Sequence, residues 1–170
     1  FPVELTLMWE CQVFDMFKKT VSLRGANTAL SVETGTANWV HFSYREYYDE
    51  VIKFAKSLVA IGFQPHESVN IIGFNSPEWM FADLGCIAAG GIAAGIYTTN
   101  APEACHYVSE HSGAVVVVCE NKAQLDKFVE IQDRLPSLKA LVVYNDDEAV
   151  PLDGQQTPIM IPANDVFCRM

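Results

Sequence analysis

The side chains able to do chemistry in this chain fall into two groups, and the first dissolves on inspection. Cys105-His106 with His111 offers the donors of a soft metal site or a thiolate pair. On one helix, however, positions 105 and 111 are six apart and point to different sides. His106 and Glu110 share a face and read as an exposed helical pair. Ser109 and Ser112 lack the spaced His and acid that would make either a nucleophile. The chain contains no G-x-x-x-x-G-K-[ST] loop, G-x-G-x-x-G, G-x-S-x-G elbow, H-E-x-x-H or EF-hand spacing. Gly90-Gly91 falls at a helix C-terminus, the wrong end for an anion, and reads as a stop signal. No catalytic residue and no metal ligand is therefore assigned. The second group is defined by position. Asn75 follows one buried strand and Thr98-Thr99-Asn100 follows the next, and ligands of open parallel sheets gather at the carboxyl ends of strands. Asn75 is thus a candidate substrate-adjacent residue. The alternative is that Asn75 and Asn100 simply cap the helices that follow.

Those positions depend on an alternation of strands and capped helices. Glu10 to Leu23 carries Val13, Met16, Phe17 and Val21 at helical spacing, predicting an amphipathic helix on its own domain rather than on a membrane. Thr28 to Val32 and Trp39 to Phe42 flank a Gly-containing loop and predict a hairpin. Ser43-Tyr-Arg-Glu46 is a capping box opening a helix to about Ala60, with Tyr47, Val51, Phe54, Ala55, Leu58 and Val59 on one face and Gly62 as its terminator. Val69 to Phe74 reads as a strand buried on both faces. Ser76-Pro77-Glu78 starts a helix to about Ala89 that is apolar almost all round; its Trp79-Met80-Phe81 run reads as core. Ile92 to Tyr97 is a strand, Asn100-Ala-Pro-Glu103 caps a helix to about His111, and Val115 to Val118 is a buried strand. Asn121 opens a helix to about Ile131, and Leu141 to Tyr144 is a further strand. Residues 145–162, rich in Asp, Pro and Gln, read as linker or long loop, and 163–170 as the first turns of a helix. The expected fold class is α/β: a mostly parallel sheet with flanking helices plus a short N-terminal hairpin.

Half of the 170 residues are hydrophobic and 19% are charged, enough apolar content for a sizeable core. A net charge of −10 argues against nucleic acid and anionic lipid as electrostatic partners. Asn145 to Glu148 concentrates part of that charge in what reads as a solvated turn rather than a calcium loop. Five scattered cysteines, with no C-x-x-C and no Asn-x-Ser/Thr sequon, suit a reducing compartment. The uncharged stretch between Asp83 and Glu103 is broken by Gly90-Gly91 and ends in Thr-Thr-Asn-Ala-Pro, so no membrane span is expected. No signal peptide is visible. A chain that opens on Phe1 and stops inside a helical pattern is expected to be a piece of a longer protein.

Ser43-Tyr-Arg-Glu-Tyr-Tyr48, Ala55-Lys-Ser-Leu58, Gly73-Phe-Asn-Ser-Pro-Glu-Trp79, Ala89-Gly-Gly91, Gly95-Ile-Tyr-Thr-Thr-Asn100 and Glu103-Ala-Cys-His-Tyr-Val108 carry a family resemblance in order and spacing. From about Thr20 to Tyr144 the chain resembles the N-terminal region of bubblegum-type long- and very-long-chain acyl-CoA synthetases, of the adenylate-forming, AMP-binding superfamily. The resemblance implies a partial N-terminal AMP-binding domain over 1–144, followed by a linker and helix start over 145–170. It implies activation of a fatty acid with ATP and Mg2+ to an acyl-adenylate, then thioester formation with coenzyme A. It places the Thr98-Thr99 turn beside coenzyme A. The family's Ser/Thr/Gly-rich phosphate loop, ribose-binding aspartate and catalytic lysine lie downstream and are not in these residues, so the chain alone is expected to be inert. The expected partners are fatty acid, coenzyme A and the rest of the synthetase chain. The expected compartment is the cytoplasm, with peripheral association with intracellular membranes left open. Two alternatives stand: a non-catalytic truncated synthetase that binds acyl-CoA or a partner, and an unrelated doubly wound nucleotide-binding domain, against which the missing glycine fingerprint counts.

Overall fold

A computed structural model describes residues 12–145 and 159–162. The chain divides into two compact units, Phe1–Asp49 and Glu50–Met170.

In the first unit, helix α1 (Val13–Arg24) leads to an antiparallel hairpin of β1 (Thr28–Glu33) and β2 (Trp39–Ser43). The predicted helix start at Glu10 lies outside the described residues. Gly35 takes a φ of +75° in the hairpin loop, a conformation open to glycine at little cost. The predicted apolar face of α1 is only half used: Phe17 and Val21 are buried, whereas Val13 and Met16 are exposed. Phe17 instead joins an aromatic group, its ring centroid 4.8 Å from that of Tyr47 and 5.9 Å from that of Tyr48.

Helix α2 (Tyr44–Ala60) starts at the capping box read from the sequence. The Glu46 N–H donates to Ser43 Oγ at 3.2 Å, and the Ser43 N–H donates to Glu46 Oε2 at 2.8 Å. Gly62, at φ +81°, turns the chain beyond its end. Val59 does not belong to the buried face; it is 62% exposed, while Val51, Phe54 and Leu58 are enclosed.

The second unit continues as β3 (Ser68–Ile72), α3 (Pro77–Ala88), β4 (Ile92–Ile96), α4 (Pro102–Ser112), β5 (Ala114–Cys119), α5 (Lys122–Ile131), a 3-10 turn (Gln132–Arg134), β6 (Ala140–Val143) and β7 (Ile159–Pro162). The five strands form a parallel sheet in the order β4-β3-β5-β6-β7. The expected α/β class, with its parallel sheet, helices and short hairpin, is what the structure shows. Strand β7 corrects one reading. Residues 159–162 were expected to be loop, but they pair with β6 from Ala140↔Ile159 to Val143↔Pro162. A proline and a four-residue length hide such an edge strand from periodicity. Residues 163–170 lie outside the described residues.

Successive residues of β5 feed opposite faces. Val116 and Val118 join Phe54, Leu58, Val69, Ile71, Ala82 and Cys86 in one core cluster. Val117 and Cys119 join Ile72, Leu125, Phe128 and Ile131 in the other. Helices α2 and α3 therefore cover one face, and α5 with Cys105 of α4 covers the other. Each large side chain so buried contributes about 1.5–3 kcal/mol of transfer free energy.

One polar residue sits inside this sheet. Asn70, in the central stretch of β3, has no exposure to solvent. Ser109 Oγ donates to Asn70 Oδ1 at 2.7 Å, and Asn70 Nδ2 donates to Ser112 Oγ at 3.1 Å and to the Ala94 carbonyl at 3.4 Å. The amide is thereby satisfied from both α4 and β4, as burial of a polar group requires.

Candidate functional site

At the carboxyl ends of β3 and β4 the chain leaves the sheet in two turns, and a cleft of about 460 Å³ opens between them. It is lined by Gly73, Phe74, Asn75, Trp79, Gly95, Ile96, Tyr97 and Thr98. Ser76 caps α3 by accepting the Trp79 N–H at 3.1 Å, and so fixes the helix that carries the indole into the cleft. A Cβ at Gly95 would lie 3.5 Å from Trp79 Cζ2, so β4 faces the indole there. Phe74 and Tyr97 are 70% and 82% exposed at the two turns.

The structure thus brings Asn75 and Thr98 into one cleft. Thr99, next in the turn, is exposed and does not line it. Neither Asn75 nor Asn100 is a helix cap: Ser76 holds that position for α3, and Ala101, with no side-chain cap bond, holds it for α4. The Asn100 expectation fails because the helix starts at Pro102, one residue later than an Asn100 cap requires. Trp79, read from sequence as plain core, packs against the core and lines the cleft as well. Its signal was position: it lies in the first turn of the helix that Ser76 caps at the end of β3.

Beneath the cleft, Phe74 donates its N–H to Glu120 Oε2 at 3.0 Å. Tyr144 reaches up from β6 so closely that any side chain at Gly73 would meet its hydroxyl. Burial pushes the Tyr144 phenol up to about 12, with Ser76 only partly opposing; among the described residues no group reaches hydrogen-bonding geometry with its oxygen. The phenol is neutral under ordinary conditions.

The lining carries aromatic faces, one amide, the hydroxyls of Tyr97 and Thr98, and no charged side chain. It can enclose and stack a flat or apolar group and offer it hydrogen bonds. It sets no basic side chain beside those hydroxyls and presents no cation. The three cysteines among the described residues are free and buried, and burial raises all three thiols, Cys86 to about 12. Such thiols are poor nucleophiles. Cys11 and Cys168 lie outside the described residues. Among the described residues, no group of three or more His, Cys, Asp and Glu side chains could hold a metal ion. No described helix is long and apolar enough to cross a membrane.

The exposed helical pair expected of His106 and Glu110 needs one correction. His106 is 13% exposed at its side chain rather than open, with Nε2 lying 3.3 Å from the Arg134 carbonyl oxygen and Nδ1 3.9 Å from Glu110 Oε2. His111 stacks on Tyr107, centroids 5.9 Å apart. Ser109 and Ser112 are spent on Asn70.

Comparison with known proteins places this geometry. A 135-residue stretch, 79% of the chain, is 44% identical to long-chain-fatty-acid–CoA ligase ACSBG2 of Xenopus laevis. A 140-residue stretch, 82% of the chain, is 40% identical to long-chain-fatty-acid–CoA ligase ACSBG1 of Bos taurus. The chain spans 18% and 19% of the length of these two relatives. Among solved structures, the A-PCP didomain of carboxylic acid reductase from Segniliparus rugosus, in complex with AMP, matches with a TM-score of 0.78. That match covers 94% of this chain and 26% of the other at 17% identity, a likeness of fold. The resemblance read from Gly73-Phe-Asn-Ser-Pro-Glu-Trp79 and Gly95-Ile-Tyr-Thr-Thr-Asn100 thus agrees with the relatives found. The profile of the AMP-binding enzymes matches residues 17–165, and the chain belongs to that family.

Proposed function

We propose that these residues are the N-terminal part of a long-chain fatty acid–CoA ligase. The fatty acid carboxylate attacks the α-phosphorus of ATP and expels pyrophosphate; coenzyme A thiolate then attacks the acyl carbonyl and expels AMP. The observation that carries the reading is the identity of 44% and 40% to two proteins named as such ligases, across most of the chain. The AMP-binding domain takes in residues 17–165, strand β7 included. In this reading the cleft supplies a wall of the substrate site: Asn75 stands next to substrate, and the Thr98-Thr99 turn next to coenzyme A. The ATP phosphates and Mg2+ need cations and carboxylates that the lining lacks, so other parts of the protein hold them.

The test is ATP-dependent thioester formation by the complete reading frame, with fatty acids over a range of chain lengths. Acyl-CoA and AMP are expected from the complete protein, and no turnover from the 170-residue chain alone. No thioester from the complete protein at any chain length removes the proposal. Acyl-CoA binding without turnover by that protein would favour a non-catalytic synthetase instead.

A further inference from the structure

The cleft wall at Thr98 is fastened from a distance. No side chain caps α4 at Ala101, so the turn between β4 and α4 lacks the local tie that Ser76 gives the opposite turn. It is held by three other bonds. The Asn100 N–H donates to the Tyr97 carbonyl at 3.0 Å. The wholly buried Cys105 thiol donates to the Asn100 carbonyl at 3.8 Å. Lys127, on α5, donates from Nζ to the Thr98 carbonyl at 2.7 Å and to Gln124 Oε1 at 2.9 Å. The lysine bond is charge-assisted and the shortest, and it reaches across 29 residues of sequence. Its helix does not need it for packing, because Leu125, Phe128 and Ile131 anchor α5 in the core.

We propose that Lys127 is a positioning residue. By holding the Thr98 carbonyl inward it fixes the turn as one wall of the cleft. It thereby sets affinity for the substrate portion the cleft accepts, without touching that portion. This inference rests on the ligase reading above.

The experiment uses the complete ligase with Lys127→Met, which keeps an apolar stem of similar length, and Lys127→Arg, which keeps the charge. KM is measured separately for fatty acid, ATP and coenzyme A, and amide exchange is followed at residues 98–100 in the same proteins. In Lys127→Met, KM for one substrate is expected to rise roughly 3- to 10-fold with kcat within about two-fold. Exchange in the turn should quicken, and Lys127→Arg should recover both. Unchanged KM for all three substrates, or an equal loss for all with kcat falling, overturns the proposal. If the wild-type protein forms no thioester, the ligase reading is what fails. Exchange then decides for Lys127: faster and arginine-rescued supports its hold on the turn, unchanged refutes it.

Discussion

Gly73 shows how closely the cleft floor is packed. Its missing side chain leaves room for the Tyr144 hydroxyl, and a Cβ there would also come within 2.9 Å of Glu120 Cβ. Gly73→Ala must therefore displace two side chains or the β3 end that leads to Asn75. We expect a loss of about 1–3 kcal/mol, the usual cost of overpacking, read as a lower Tm. Removing the obstructing oxygen with Tyr144→Phe should return part of that loss in the double variant; strict additivity would show that the two positions do not meet. The prediction is local because the obstruction is two neighbouring side chains. The other residues singled out from sequence for chemistry, such as Cys105 and Ser109, turn out to serve packing and a buried amide.

At the scale of elements, the cap chemistry was the most readable layer. Ser43 with Glu46, Ser76 and Asn121 each cap the helix they were expected to cap, because a short polar side chain before an apolar period has few other uses. Ser76→Ala should cost about 1 kcal/mol by chemical denaturation. It should also loosen Trp79, seen as a change in indole fluorescence before global unfolding; an unchanged fluorescence baseline would contradict this. What stayed hidden required contacts distant in sequence. Asn70 sits in a largely apolar strand, and its partners come from α4 and β4. The edge strand β7 is too short and too polar in context to be seen. The cleft's location is legible as two strand ends, which is why Asn75 and Thr98 both line it. The parts played by Gly73, Gly95 and Lys127 are not legible, since nothing local marks a residue whose role is to make room or to reach across from another helix.

For the whole molecule, acidity is the dominant electrostatic fact, with a net charge of −10. Mild acidification relieves self-repulsion, yet one ion pair works the other way. Lys139 Nζ bonds both oxygens of Glu67 at 2.7 Å and also the Gly62 carbonyl at 2.9 Å, tying the entry to β3 to the entry to β6. Burial alone would raise the Glu67 carboxyl, but bonds from Lys139 and from the Gln64 N–H outweigh it and hold it below the ordinary 4.5. A carboxyl lower in the folded than in the unfolded chain lends stability that is complete above the unfolded value and disappears as pH falls through the folded one. The acid limb of a Tm-versus-pH curve should therefore steepen below about 4.5, and Glu67→Gln should flatten it; an identical limb in the variant would rule this pair out. At the opposite extreme of burial, Asn70 has a consequence for folding fidelity. Were β3 to slide one place along its neighbours, this amide would swing to the far side of the sheet. It would then face the apolar packing around Phe54 and Leu58, and the Ser109 hydroxyl would lose its acceptor. Each orphaned group costs about 1–3 kcal/mol. A lone asparagine thus acts as an alignment key, penalising misthreaded sheets that the surrounding valines and isoleucines would tolerate.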